Sequence, residues 1–316
     1  MSRQIAPVTE ETFGCQILVT NRTLGGLNGL VDGPVGQPKL LTPFLFTIGF
    51  SGTCLCASAI WEYENRRSDY LLNLHQRAAH WVKKQVRQTQ GDFRNDMNKW
   101  WNSLRDERKL CYGIIAVNAA VLGLWRIPSL KPFMMTYFSA NAFAKAVCWP
   151  MILSTFSHYS VIHFGVNMYV LDSIAGAVSV NMGKEQFLGF YLSAGIASSY
   201  ASHFLRSIRR TPGVSLGASG ALMGALAFFC MSNPKSELSI IFLPDFPFTA
   251  ENGLKGLLAL DTIGILLRWK MFDHAAHLGG AVFGMFWHQW GQQIFWSRRH
   301  IIMNKWHRFR DLPPTD

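Results

Sequence analysis

Apolar residues cluster along this chain in seven stretches that are separated by more polar segments. A helix needs about 20 mainly apolar residues to cross the ~30 Å hydrocarbon layer of a bilayer. The stretches cover residues 40–61, 110–125, 161–180, 186–205, 211–234, 254–267 and 275–296. Most are long enough to cross, although the second is short and Asp261 interrupts the sixth. The pattern predicts an all-α polytopic membrane protein.

The spacing of these stretches divides the chain into five parts. A polar connector, 62–109, with eleven basic and seven acidic residues, separates the first stretch from the rest. The parts are an N-terminal tail (1–39), one extra transmembrane helix (40–61), the polar connector (62–109), a six-helix core (110–296) and a basic C-terminal tail (297–316). The predicted architecture is therefore 1+6.

Composition supports residence in a membrane and argues against nucleic-acid binding. Only 16% of the 316 residues are charged, whereas typical soluble domains carry about 25%. Basic loops on an anionic membrane surface account for the formal net charge of +11, and no zinc-finger spacing or RNA-binding motif accompanies it. The six cysteines include no C-x-x-C pair and imply no disulfide. No cofactor is predicted.

The fifth apolar stretch contains a serine between glycines, in the sequence Gly217-Ala218-Ser219-Gly220. Gly217 permits a tight backbone conformation, and Gly220 and Gly224 form a G-x-x-x-G stripe that lets another helix approach closely. A polar side chain inside a membrane is costly and is usually either functional or paired. The alternative is that the glycines are ordinary helix packing and that Ser219 bonds a backbone carbonyl.

The seventh stretch carries His277 beside a second stripe of small residues, Ala276, Gly280 and Gly284. Serine is a weak nucleophile, and a base must come within ~2.6–3.2 Å of its hydroxyl to take the proton. Small residues on both helices would permit that approach. The two motifs together predict that Ser219 is a nucleophile and His277 is its general base.

His163 and Asn167 lie four residues apart and therefore share a helix face. Both side chains can donate hydrogen bonds to the oxyanion that forms during acyl transfer. We therefore predict that they stabilise it together with the peptide N–H of Ser219. The alternative for His163 is a core histidine bonded to a neighbouring helix.

Two other chemistries compete for the buried polar residues. A metal could bind the histidines at 158, 163, 274 and 277, but the chain has no H-E-x-x-H motif, and no metal is predicted. A transporter could use the same histidines to carry protons, but no inverted repeat is evident. Asp261 is assigned no catalytic role.

In these residues the chain resembles the rhomboid family of intramembrane serine proteases. The family's Gly-x-Ser-Gly, Ala-His-x-x-Gly-x-x-x-Gly and His-x-x-x-Asn motifs read here GASG, AHLGGAVFG and HFGVN. The resemblance implies a Ser219–His277 dyad with no aspartate as third member. It also implies an oxyanion and substrate-binding region at His163, Asn167 and Gly217, and a membrane-dipping loop over 126–156.

Segments such as FDHAAHLGGAVFG, and the extra N-terminal span, resemble the mitochondrial presenilin-associated rhomboid-like branch. The branch implies a multi-pass protein of the mitochondrial inner membrane, with its N-terminus in the matrix. The distribution of lysine and arginine would instead place the connector in the matrix. The implied partners are transmembrane protein substrates and the lipid bilayer, with cardiolipin binding, homo-oligomers and a regulatory partner left open.

Two positions depart from the pattern of many rhomboids. Pro150 follows Trp149 where many members carry Trp-Arg, and Met223 stands where many place a tyrosine against the catalytic histidine. A thioether can contact a ring edge but orients imidazole less firmly. The alternative function is therefore a catalytically weak or regulated rhomboid that mainly binds and routes membrane helices.

Overall fold

Helices dominate the computed structural model, which describes residues 38–79, 92–240 and 243–310. In chain order the α-helices are α1 (Leu41–Ala79), α2 (Asp92–Ser103), α3 (Asp106–Leu124), α4 (Lys131–Tyr137), α5 (Cys148–Leu153), α6 (Val161–Met182), α7 (Lys184–Arg209), α8 (Ser219–Ser232), α9 (Ala250–Leu266), α10 (His274–Phe286) and α11 (Arg299–Arg310). A π-helix, Trp287–Trp296, continues α10. The predicted helical character is confirmed, and nearly all of the predicted N-terminal tail lies outside the described residues.

Two short antiparallel strand pairs correct the prediction that the fold is entirely helical. β1 (Ala140–Asn141) pairs with β2 (Val214–Ser215), and β3 (Glu237–Ile240) pairs with β4 (Leu243–Thr249). The pairing satisfies backbone groups in the segments before and after α8. Strands of two residues are too short to show an alternating pattern in the sequence, which is why β1 and β2 were not predicted.

By length and composition, two helices of the described chain could cross a bilayer, within Leu41–Leu72 and over Val161–Met182. A third candidate is a bent pair, Asp106–Leu124 with Pro128–Tyr137, which turns by 97°. The expectation of one apolar span over 211–234 is wrong, because α8 comprises only 14 residues, from Ser219 to Ser232. The preceding Gly217 has a φ of +127°, which a right-handed helix does not allow.

Helix α1 continues without a break past residue 61, where the sequence analysis ended the first span. Its 39 residues measure about 58 Å at 1.5 Å per residue, so it is longer than the hydrocarbon layer is thick. Helix α11 packs against this extension. Arg299 pairs with Glu62 through two bonds of 2.6 and 3.1 Å, and Trp306 Nε1 donates to Glu64 at 2.7 Å.

The core brings α7, α8 and α10 together, with α1 packed on α7 and α3 on α6. Phe190 of α7 is fully buried at its centre. Its ring centroid lies 5.9 Å from that of Phe228 and 6.0 Å from that of Trp287. These contacts join α7, α8 and the π-helical continuation of α10.

Candidate active site

Ser219 and His277 meet at the helix ends that the core brings together. Ser219 is the first residue of α8, and His277 lies in the first turn of α10. His277 Nε2 is 3.0 Å from Ser219 Oγ, a hydrogen-bond distance at which the hydroxyl can donate to the imidazole. The His277 side chain is 12% exposed. The pair therefore has the geometry of a nucleophile with its general base.

Four glycines set the distance between α8 and α10. A Cβ atom at Gly280 would lie 1.9 Å from the carbonyl oxygen of Gly220, and one at Gly284 would lie 2.1 Å from that of Gly224. Both distances are well inside van der Waals contact, so any side chain would separate the two backbones. The two glycine stripes thus face each other along the side of the helices that carries Ser219 and His277.

The segment before α8 is held by a glycine in a conformation that other residues avoid. Gly217 has a φ of +127°, and its N–H donates to the carbonyl of Ser154 at 2.9 Å. A Cβ atom here would lie 2.7 Å from Cε1 of His163. The next peptide N–H, of Ala218, points at His158 Nε2, 3.4 Å away. Two histidines therefore line this segment immediately before Ser219.

The predicted oxyanion donors lie close to this segment. His163 Nδ1 is buried and has no hydrogen-bond partner among the described residues. Asn167 is 5% exposed, and its Nδ2 donates to the carbonyl of His163 at 2.8 Å, which leaves its second amide hydrogen for another acceptor. The first N–H groups of a helix also lack partners within the helix, so the start of α8 presents further donors beside Ser219.

The N-terminus of α10 is fixed to α7 through Asp273. Its side chain caps α10 by accepting from the N–H of Ala276 at 3.1 Å. Ser202 Oγ donates to the same carboxylate at 2.6 Å, and Arg206 Nη2 lies 3.2 Å from it. Because His277 is four residues after Asp273, these bonds also limit the movement of the imidazole.

Two residues near His277 were given no role by the sequence reasoning. Asp261 Oδ1 lies 2.8 Å from His274 Nδ1 and 3.4 Å from His277 Nδ1. The ring of Phe272 lies 6.1 Å from that of His277, centroid to centroid. Asp261 is visible in the sequence as a lone carboxylate in an apolar stretch, but no spacing signal connects it to a histidine on another helix.

The histidines that could have bound a metal lie in two pairs. His158 and His163 are 5.1 Å apart, and His274 and His277 are 6.5 Å apart, measured between ring centroids. In the part of the chain that the structure describes, no three histidine, cysteine or acidic side chains form a group that could hold a metal ion.

Comparison with known proteins identifies relatives of this site. The family described as Rhomboid domain matches residues 145–291, which include all of the predicted site residues. The chain is 46% identical over 275 residues to "Presenilin-associated rhomboid-like protein, mitochondrial" of Mus musculus, covering 87% of this chain and 73% of that protein. It is 38% identical over 299 residues to "Presenilin-associated rhomboid-like protein A, mitochondrial" of Danio rerio, covering 87% and 77%. It is 33% identical over 180 residues to "Rhomboid protein 1, mitochondrial" of Saccharomyces cerevisiae, covering 56% and 52%.

Proposed function

Because the chain belongs to the rhomboid family, we propose that it is a serine endopeptidase that hydrolyses peptide bonds in or near the transmembrane segments of membrane proteins. Its relatives are named mitochondrial, which supports a place in the mitochondrial inner membrane, crossed several times. The observation that carries the proposal is the 3.0 Å contact between Ser219 Oγ and His277 Nε2.

The reaction proceeds in two halves through an acyl-enzyme. Ser219 Oγ attacks the carbonyl carbon of the scissile bond while its proton passes to His277 Nε2. His277 returns that proton to the amine nitrogen as the C–N bond breaks, which leaves an ester on Ser219. A water molecule then gives a proton to Nε2 and attacks the ester carbonyl. The acid leaves as the proton returns to Ser219 Oγ.

The oxyanion of each tetrahedral intermediate needs donors that are already in place. We assign this role to the peptide N–H of Ser219, the ring of His163 and the second amide hydrogen of Asn167. The unpartnered Nδ1 of His163 supports the assignment, because a buried polar atom without a partner is costly unless a ligand uses it. Gly217 supports it through the close approach of its backbone to His163.

A 1+6 arrangement of spans suits these helices. In it α1 is the extra helix, and the core consists of α3, α6, α7, α8, α9 and α10 with its π-helical continuation. The 14 residues of α8 span about 21 Å, which is shorter than the ~30 Å hydrocarbon layer. With its C-terminus at one membrane surface, α8 would therefore place Ser219 several ångströms below the other.

Hydrolysis at that depth requires water and an accessible peptide bond. Polar side chains of α7, Ser199, Ser202 and Arg206, line a small pocket between α7 and β1. Ser202 and Arg206 also bond Asp273 at the start of α10, and we propose that water approaches His277 from this side. A helical substrate must unwind before attack, so residues that disfavour helices are expected near the cut.

Cleavage of a single-pass substrate by the purified full-length chain in liposomes tests the proposal. Ser219→Ala and His277→Ala should each lower kcat/KM by at least ~10³-fold. The matched controls are Ser173→Ala, whose hydroxyl bonds its own helix at Tyr169, and His300→Ala on α11, and both should cleave at the wild-type rate. Binding of the substrate without cleavage by the wild type would favour the helix-routing alternative. Unchanged cleavage by Ser219→Ala would refute the proposal.

A further inference from the structure

Asp261 of α9 lies on the side of His277 that faces away from Ser219. One carboxylate oxygen, Oδ1, is 2.8 Å from His274 Nδ1 and 3.4 Å from His277 Nδ1. The other ring nitrogen of His277 is the one that contacts Ser219 Oγ at 3.0 Å. Ser219, His277 and Asp261 thus form a continuous row in which the imidazole is contacted at both nitrogens.

We propose that Asp261 is a positioning residue, which holds the ring of His277 in the tautomer and orientation needed to accept the Ser219 proton. This inference rests on the proposed function and extends it, since the family resemblance implies a dyad without an aspartate. It concerns the imidazole alone, and Asp261 does not contact the reacting atoms.

The position of the ring proton decides whether His277 can act as a base toward Ser219. A neutral imidazole carries one proton, and Nε2 can accept from the Ser219 hydroxyl only if that proton is on Nδ1. A carboxylate beside Nδ1 accepts a hydrogen bond from it and therefore favours this tautomer. When the Ser219 proton reaches Nε2, the ring becomes positively charged, and the negative charge of Asp261 stabilises it at short range.

The burial of Asp261 also favours a role beside His277. Asp261 is 4% exposed and is the one charged residue in the mainly apolar part of α9 that follows Lys255. A buried carboxylate is costly unless it is hydrogen-bonded and paired. Its neighbours from α10 are His274 and His277, the latter being the proposed base. Contacts with these two histidines therefore offset the free-energy cost of burying the carboxylate.

His274 holds the carboxylate in this place. Its Nδ1 makes the shorter of the two contacts, 2.8 Å, while its buried Nε2 has no hydrogen-bond partner within the described ranges. His274 therefore bonds through Nδ1 alone, and Nδ1 can donate to the carboxylate. A Cβ atom at Gly264 would lie 2.5 Å from this ring, so the glycine provides the space for it between α9 and α10.

The 3.4 Å contact to His277 is longer than an ordinary N–H···O hydrogen bond. Catalytic hydrogen bonds are often long without substrate and shorten in the substrate complex. The effect of removing the carboxylate should therefore be smaller than the ~10⁴-fold loss seen when a full catalytic triad loses its aspartate. A loss of about 10- to 100-fold, as for outer partners that orient a functional histidine, is expected.

Steady-state cleavage by the full-length chain in liposomes tests this role. Asp261→Ala should lower kcat about 10- to 100-fold while KM changes by less than about 2-fold. Asp261→Asn keeps the size of the side chain and should also show a reduced kcat. This variant replaces Asp261→Ala if the alanine variant fails to fold. The matched control is Asp172→Asn, which removes the carboxylate that pairs with Arg108 on another core helix.

The outcomes separate this inference from the proposed function. A wild-type kcat for folded Asp261→Ala and Asp261→Asn, with Ser219→Ala inactive, would overturn the positioning role alone. Cleavage by Ser219→Ala at the wild-type rate would overturn the proposed function itself. A loss that appears in KM rather than kcat, or equally in Asp172→Asn, would also overturn the positioning role.

A double variant tests the part assigned to His274. His274→Ala should lower kcat less than Asp261→Ala does, because the carboxylate remains near His277. Adding His274→Ala to Asp261→Ala should cost little more, since both act through the same contact. Independent losses that multiply in the double variant would show that His274 does not act through Asp261.

Discussion

Gly280 and Gly220 lie backbone against backbone, with the Cβ position of Gly280 only 1.9 Å from the carbonyl oxygen of Gly220. No other residue type fits at this crossing without moving one of the two helices. Ser219 immediately precedes Gly220, and His277 lies three residues before Gly280. The distance between Ser219, the proposed nucleophile, and His277, its proposed base, therefore depends directly on the absence of side chains at these glycines.

Replacing Gly280 by alanine should reduce both stability and activity. The added methyl group meets backbone rather than a flexible side chain, and overpacking of this kind costs about 1–3 kcal/mol. A displacement near 1 Å at the reacting groups can lower the rate about 10²-fold. Thermal unfolding and cleavage measured on the same preparation check this. Gly113→Ala on α3 is the control, because its Cβ would meet nothing within 4 Å, and its stability and activity should be preserved.

Gly217→Ala should lower activity through the oxyanion region rather than through the helix crossing. A residue with a side chain at a φ of +127° is strained by about 1–3 kcal/mol, and its methyl group would lie 2.7 Å from His163. We expect a fall in kcat of about 10-fold or more. The control is Gly165→Ala in α6, where a Cβ has open space. Equal kcat values for the two variants would contradict this role of Gly217.

Motif spacing singles out Ser219 and His277 because the proposed chemistry requires these residue types together, and the structure places them 3.0 Å apart. Ser219, His277 and the glycine stripes are recognisable from the sequence, since small residues at four-residue intervals indicate a close helix crossing. The contact between Asp261 and His277 cannot be recognised from the sequence, because it joins different helices and depends on how α9 packs on α10. The start of α8 at Ser219 also depends on tertiary contacts of Gly217 that no local pattern contains.

Asp273→Ala should destabilise the protein more than Asp273→Asn does. Alanine removes the cap on α10, worth about 1 kcal/mol, and leaves Arg206 without the carboxylate that lies 3.2 Å away. Loss of one partner of a fully buried ion pair costs about 3–5 kcal/mol. The Arg206–Asp273 pair is partly exposed, so we expect a cost at or below the lower end of that range. Asparagine can still cap the helix. Melting temperatures of both variants in the same detergent check the order, and equal values would contradict the capping role.

Phe272→Leu should lower kcat modestly by loosening the ring of His277. The two rings lie 6.1 Å apart at an angle of 36°, and contacts between rings contribute about 0.5–1.5 kcal/mol. The corresponding fall in kcat is roughly 2- to 10-fold. Phe246→Leu is the control, since this phenylalanine of β4 is 71% exposed. A kcat unchanged by Phe272→Leu would show that the ring does not support His277.

The position and rate of covalent labelling by a serine-directed phosphonate test the proposed Ser219–His277 pair most directly. The protein in liposomes is treated with the probe, digested and mapped by mass spectrometry. We expect one adduct, on Ser219, that forms at least ~10²-fold more slowly in His277→Ala and at the wild-type rate in His300→Ala. An adduct on another residue, or equally fast labelling of Ser219 without His277, would contradict the proposed pair.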